Sequence, residues 1–326
     1  MARHQVVEVA QCPRDYVSEV LLLEDRRQII VTSWDGLLTV YDYEVEHRTV
    51  SLNSRLRHEC ALLACCYVDT FHGRQIYVSS VQGEVLQVDL ESEGFIPVKN
   101  NYATLGIPCI SDFQGQLICG SWDGTLQVVD CETNCVVLQE RLSDGLKVIS
   151  MDVDNERMVI ATSRNKVRLF ELPLRPKDKG TEVESGLKYQ ARKVKLTPQG
   201  DGYVCSSLDG RVAVEYLEDE SRKFAFRCHR LNLVDTSMVF PVNALSFRPN
   251  SNVLYTGGSD GSVSCWNLTS RKKVEQLPKF NENSVVQLAC NEQVLCVATS
   301  DDSFKTNATK DETFELQPSR LYIVFL

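Results

Sequence analysis

TSWDGLLTVYDY, residues 32–43, sets two runs of β-forming residues on either side of Asp35-Gly36. Glycine accepts a positive φ and aspartate bonds nearby backbone amides, so the pair predicts a tight hairpin turn between two strands. Further out, SEVLLLED at 18–25 and HRTVSL at 47–52 add one strand on each flank, with QIIVTS at 28–33 leading into the turn. The result is a four-stranded unit, A to D in chain order. Its alternating apolar residues mark strands with at least one buried face.

The turn phrase then recurs. It reads SVQG at 80–83, SWDG at 121–124, SRNK at 163–166, SLDG at 207–210, GSDG at 258–261 and, in a worn copy, TSDD at 299–302. From Gly36 to Asp302 the fourth positions are spaced by 47, 41, 42, 44, 51 and 41 residues. A period in the low-to-mid forties with four short strands per unit predicts an all-β, seven-bladed WD-repeat β-propeller. Blades cannot bury their faces singly and must close into one ring, so the chain reads as one domain. Its blades are expected at 11–57, 58–100, 101–143, 144–189, 190–236, 237–281 and 282–326. The last unit supplies only three strands, ending in LYIVFL at 321–326, whereas QVVEVA at 5–10 is a spare strand before the first unit. The last blade is therefore expected to be closed by both termini, which removes an exposed sheet edge.

Composition narrows the function classes. No apolar run approaches the length of a membrane helix, and MARHQVVEVAQCPRDY lacks a signal-peptide core. The 13 cysteines stand singly among strand residues, as in LICGS and SVSCW; Cys131 and Cys135 have no second pair to complete a zinc site. They read as small buried hydrophobes in a reducing compartment, which makes the triplets at Asn267 and Asn307 chance glycosylation matches. A net charge of −9 disfavours direct nucleic-acid or anionic-membrane binding. The charge is uneven: from Lys188 to Arg230 there are nine Lys or Arg against six Asp or Glu. No phosphate-binding glycine loop, HExxH, GxSxG or metal cluster is present, and histidines 4, 47, 58, 72 and 229 have no ligand spacing. No enzyme, cofactor or metal is expected. His58, in the loop entering the second unit, is the candidate structural histidine.

The D–A loops and B–C turns of such a propeller share one face, here called the top. Trp34 and Trp122 occupy the second position of two equivalent turns and so lie on that face. A turn tip gains little from tryptophan unless something covers it, either a neighbouring loop or a partner. In the fifth unit, Arg192 begins strand A, Arg211 follows the turn and Arg227 lies late in strand D, all toward the top. In KFAFRCHRL, alternation places Arg227 and His229 on one face. Three arginines at one rim are able to grip a carboxylate or phosphate; the alternative is an internal ion pair with Asp209 or Glu215.

ESGLKYQARKVKL, SSLDGRVAVEYL, KFAFRCHRLNL, FPVNALSF and LYTGGSDGSVSCWNL closely resemble the mitotic-checkpoint propeller family named budding-uninhibited-by-benzimidazole three. The likeness spans nearly the whole chain, and the ATSDDSFKTNA ending looks like its budding-yeast branch. The resemblance implies a spindle-checkpoint adaptor that is nuclear, at kinetochores in mitosis, and monomeric before it binds partners. It implies a GLEBS segment of the checkpoint kinase, or of its kinase-related partner, held by Trp34, Trp122 and Arg192. It further implies a phosphothreonine of the kinetochore scaffold's Met-Glu-Leu-Thr repeats bound by Arg211 and Arg227. The rivals are the related propeller of messenger-RNA export, which binds a nuclear-pore GLEBS segment, and a ubiquitin-ligase substrate receptor, for which the repeats leave no adaptor segment.

Overall fold

Seven four-stranded antiparallel sheets follow one another along the chain, as the turn spacing requires. The computed structural model describes residues 4–71, 73–305 and 315–326, so the candidates His72 and Asn307 and part of the 303–320 stretch lie outside the described residues. Among those described there is no α-helix. The first sheet takes strands Val17–Leu23, Gln28–Ser33, Leu37–Glu44 and Thr49–Arg57. The fifth takes Ala191–Leu196, Gly202–Ser207, Arg211–Tyr216 and Phe224–Arg227. The A strands pack neighbour to neighbour around the axis, and the ring closes where that of blade seven meets that of blade one. The protein is a seven-bladed β-propeller.

Closure uses both termini. Gln5–Glu8 pairs with Arg320–Phe325 in the register Gln5 to Phe325 and Glu8 to Tyr322, giving blade seven its outer strand. Val9 is buried there and Val7 packs on the same apolar cluster. Burial of one such valine contributes about 1.5–3 kcal/mol, and the pairing covers a sheet edge. Removing the chain through Val9 is expected to lower the thermal midpoint and convert monomer to aggregate on size-exclusion chromatography. An unchanged monomer peak and midpoint would count against closure as the role of this strand.

The core is divided among the gaps between blades. Seven apolar clusters each join two adjacent blades. Cys65 and Cys66, adjacent in one strand, enter two different clusters, because strand side chains alternate between faces. All 13 cysteines are free thiols. A channel of about 350 Å³ follows the axis. Within it Lys195 reaches Asp152 at 2.7 Å, and Lys193 of blade five reaches Glu19 of blade one at 3.6 Å.

The turns explain their own sequence. Gly36 has φ +77°, and a Cβ there would stand 2.3 Å from the His58 carbonyl oxygen, so only glycine fits under the next D–A loop. The fourth copy differs. Lacking the glycine, it puts positive φ at Arg164 and Asn165 instead, a conformation asparagine tolerates. The 51-residue spacing between copies five and six is taken up by an extra hairpin, Arg230–Asn232 with Ser237–Val239. It stands on the turn at Gly210, where a Cβ would meet the His229 and Phe240 carbonyls at 3.0 Å.

Candidate functional site

The turn aspartates do more than make turns. Asp123 accepts the backbone N–H and hydroxyl of Thr104, from the preceding D–A loop, as well as the Thr125 amide. Burial pushes its carboxyl up, but those donors outweigh it and hold it well below the usual carboxylate range. The B–C turns and D–A loops are thus tied into one rigid rim. Trp34 sits on this rim with 43% of its surface exposed, its backbone N–H donating to the Tyr16 carbonyl at 2.9 Å. Trp122 is half-buried: its indole lies over Gly106, where a Cβ would be 2.7 Å from Cζ3. Neighbouring-loop packing therefore accounts for much of Trp122 and leaves Trp34 as an open aromatic surface. Tyr102, Leu105, Tyr189, Leu208 and Phe304 add exposed apolar area on D–A loops and B–C turns. Leu208 holds the turn position equivalent to Trp34 and Trp122; the other four escaped the sequence reading because they do not recur at an equivalent position.

The three arginines do not converge. Arg211 and Arg227 are direct cross-strand partners in blade five. Like charges placed opposite each other destabilise a sheet, so the pair carries a standing affinity for an anion. Asp209 offsets part of the repulsion: its Oδ2 lies 2.9 Å from Arg211 Nε. The other expected partner, Glu215, faces Lys223 at 3.7 Å. Arg227 is exposed and has no carboxylate within ion-pair distance among the described residues. Arg192 lies two strands further in. It occupies the bulge of the innermost strand, between Ala191 and Val194, and donates from Nη2 to Asn243 Oδ1 of blade six at 3.1 Å. Its Nε is buried without a partner. The blade thus offers two separate cationic points, an axial one at Arg192 and an outer one at Arg211 and Arg227.

His229 does not share the exposed face of Arg227. The strand ends at Arg227, the chain turns, and the His229 ring is wholly buried. Nδ1 lies 2.9 Å from Asp260 Oδ1, and Nε2 lies 2.9 Å from Thr256 Oγ1. Trp266 Nε1 donates to the same Thr256 oxygen at 3.1 Å. The order of donors is self-consistent: indole N–H to hydroxyl, hydroxyl to Nε2, Nδ1–H to carboxylate. This is the structural histidine. His58 makes weaker contacts: its Nδ1 accepts the Cys60 amide at 3.2 Å, its ring meets Phe95 edge-on at 5.3 Å and Nε2 lies 3.9 Å from Glu84. The missed signal was the ordered set His229, in the loop leading out of blade five, with Thr256, Asp260 and Trp266 of blade six.

For metals, the ligand atoms of His58, Cys60 and Glu84 lie within 4.8 Å of one another, a grouping hidden in the sequence because Glu84 comes from the next turn. Burial, then the Glu59 and Glu84 charges, push the Cys60 thiol above its ordinary value, which opposes the thiolate a metal needs.

Residues 232–267 match the family model described as "WD domain, G-beta repeat", the stretch that holds Thr256, Asp260 and Trp266. The chain is 30% identical over 303 residues to "Mitotic checkpoint protein BUB3.1" of Arabidopsis thaliana, covering 90% of this chain and 86% of that protein. It is 25% identical over 277 residues to "Poly(A)+ RNA export protein" of Schizosaccharomyces pombe, covering 83% and 77%. Among solved structures, "Structure of U3-55K" superposes with a TM-score of 0.73 at 15% identity, over 100% of this chain and 99% of that one, a likeness of fold alone.

Proposed function

The chain belongs to the mitotic checkpoint BUB3 family, and on that footing we propose that it is a non-enzymatic adaptor of the spindle assembly checkpoint. It joins checkpoint proteins to unattached kinetochores and works in the nucleus. Trp34, Trp122 and Arg192 hold a GLEBS segment of the checkpoint kinase or its kinase-related partner across the top face. Arg211 and Arg227 read a phosphothreonine in the scaffold's Met-Glu-Leu-Thr repeats. No cofactor, nucleic acid or membrane takes part, and the protein is a monomer until a partner binds.

The observation that carries this reading is the Arg211–Arg227 cross-strand pair, two cations facing each other with one carboxylate, Asp209, beside Arg211 alone. A phosphothreonine brings about −1.5 to −2 charges and forms one to three charge-assisted hydrogen bonds with such a pair. The local field lets an acidic protein take an acidic peptide. The same pair favours the checkpoint reading over export through a nuclear-pore GLEBS segment, which needs no phosphate contact. Calorimetric titration with phosphorylated and unphosphorylated scaffold repeats tests it. The phosphorylated peptide is expected to bind at least about tenfold tighter, one charge-assisted contact's worth; equal affinities would overturn the reading.

A further inference from the structure

A chain of polar contacts crosses the inner rim of the top face through four blades. Arg192 of blade five donates to Asn243, Asn243 Nδ2 donates to Ser259 Oγ at 2.9 Å, and Ser259 Oγ donates to Asp302 Oδ2 at 3.0 Å. Asp302 lies 3.8 Å from Lys305 Nζ, and Lys305 donates to the Tyr16 hydroxyl of blade one at 2.9 Å. Lys305 Nζ also stands 4.5 Å from the Tyr16 ring centre and 5.5 Å from that of Phe304. The short loop after the seventh turn thus reaches over the next blade's D–A loop and brings an ammonium group to the axis. Two cations, Arg192 and Lys305, share this place with one carboxylate, Asp302, which is already engaged by Ser259 and Ser284.

We propose that Lys305 is a second cation of the axial site, acting with Arg192 to grip the carboxylates of an acidic partner segment. The proposal rests on the reading of Arg192 as a partner contact and adds the residue that completes it. Arg192 Nε is buried and has no hydrogen-bond partner of its own. The groups facing Lys305 are Tyr16, Asp302 and Arg192, and they explain its state. Burial, then the Arg192 charge, push its ammonium down to about 8, against a weaker pull from Asp302. Tyr16 is pushed up to about 12 by burial, with Arg192 opposing and Asp302 adding. A folded value below the unfolded one means that the charged Lys305 opposes folding at neutral pH, and that this opposition fades as pH rises through about 8. Lys305 keeps about a third of its side chain accessible, and a cation held at a cost to stability is expected where a ligand, and not the fold, uses the charge. An arriving carboxylate favours the charged form, so binding near pH 8 takes up protons.

The test is calorimetry of the full chain with a synthetic GLEBS peptide, run at pH 8 in two buffers of different ionisation enthalpy. Wild type is expected to take up protons on binding. Lys305→Met is expected to bind about tenfold more weakly without proton uptake, as loss of one close charge pair predicts, while its thermal midpoint equals or exceeds that of wild type. Lys305→Arg keeps a charge at pH 8 and is expected to restore affinity without the uptake. If Lys305→Met binds as wild type with the same uptake while Arg192→Glu loses binding, Lys305 has no such role and the parent reading stands. If neither substitution matters, both fall.

Discussion

Arg211→Glu is expected to lower affinity for a phosphothreonine scaffold peptide by about 100-fold, through loss of a charge-assisted contact and new repulsion. A hydrogen bond between charged groups contributes roughly 1.5–3 kcal/mol, and about 1.4 kcal/mol is one factor of ten. The substitution removes one such contact and sets a carboxylate beside Asp209, against a phosphate carrying nearly two charges. Side-chain exposure of 40% at Arg211 admits screening, so the effect is expected to shrink as salt rises. Folding should change little. The Asp209 contact is lost, an effect of about 1 kcal/mol or less for a pair this exposed, but the new carboxylate faces Arg227 across the strands. Arg227→Gln removes the more exposed cation and should weaken binding less, about tenfold. Fluorescence anisotropy with the labelled peptide measures both, and GLEBS-peptide binding to the same variants serves as the control. An Arg211→Glu protein that binds the phosphopeptide within about threefold of wild type, a loss smaller than one charged contact, would exclude Arg211 from the phosphate site.

The ring was legible because its signals are local. Asp-Gly turns, strand alternation and a fixed period all follow from neighbouring residues, and counting strands exposed the missing one that Gln5–Glu8 supplies. The site was legible only in part, because it depends on radial position. Arg192 and Arg211 approach the same face, yet one lies in the innermost strand's bulge and the other on strand C beside Arg227. Alternation alone assigned His229 to the face of Arg227, because it assumes that the strand continues; the strand stops at Arg227 and the chain folds His229 inward. Lys305 was invisible for a different reason. Its partners Tyr16 and Arg192 come from blades one and five, and only ring closure brings them to one place. The channel pair Lys193–Glu19 arises in the same way.

His229→Ala is expected to destabilise the protein by about 3–5 kcal/mol, the sum of a buried carboxylate left short of a hydrogen-bond donor and the cavity left by the ring. Three observations set that size. The ring is fully buried, against Gly258, where even a Cβ would lie 2.4 Å from its Cγ. It links Asp260 on one side to Thr256, and through Thr256 to the Trp266 indole, on the other. Removal therefore leaves a largely buried carboxylate short of its main donor and the Thr256 hydroxyl with only a long contact to the Ser264 carbonyl at 3.5 Å, and it opens a cavity under blade six. Burial pushes the Asp260 carboxyl up, yet the His229 hydrogen bond and charge, with help from Ser262, hold it below the usual range. A carboxyl held low in the folded state stabilises it above the ordinary carboxylate value, and that contribution is lost as pH falls through the folded value. Wild type should therefore lose part of its advantage over His229→Ala on acidification below about pH 4, the ordinary carboxylate value. Near neutral pH the variant's midpoint should fall by roughly 6–20 °C, at about 2–4 °C per kcal/mol for a large domain. The equivalent change at His58, which loses one ordinary hydrogen bond and an edge-on contact with Phe95, should cost about 1–2 kcal/mol. Differential scanning fluorimetry of the two variants across pH decides between them: similar midpoints would mean that blade six does not depend on this relay.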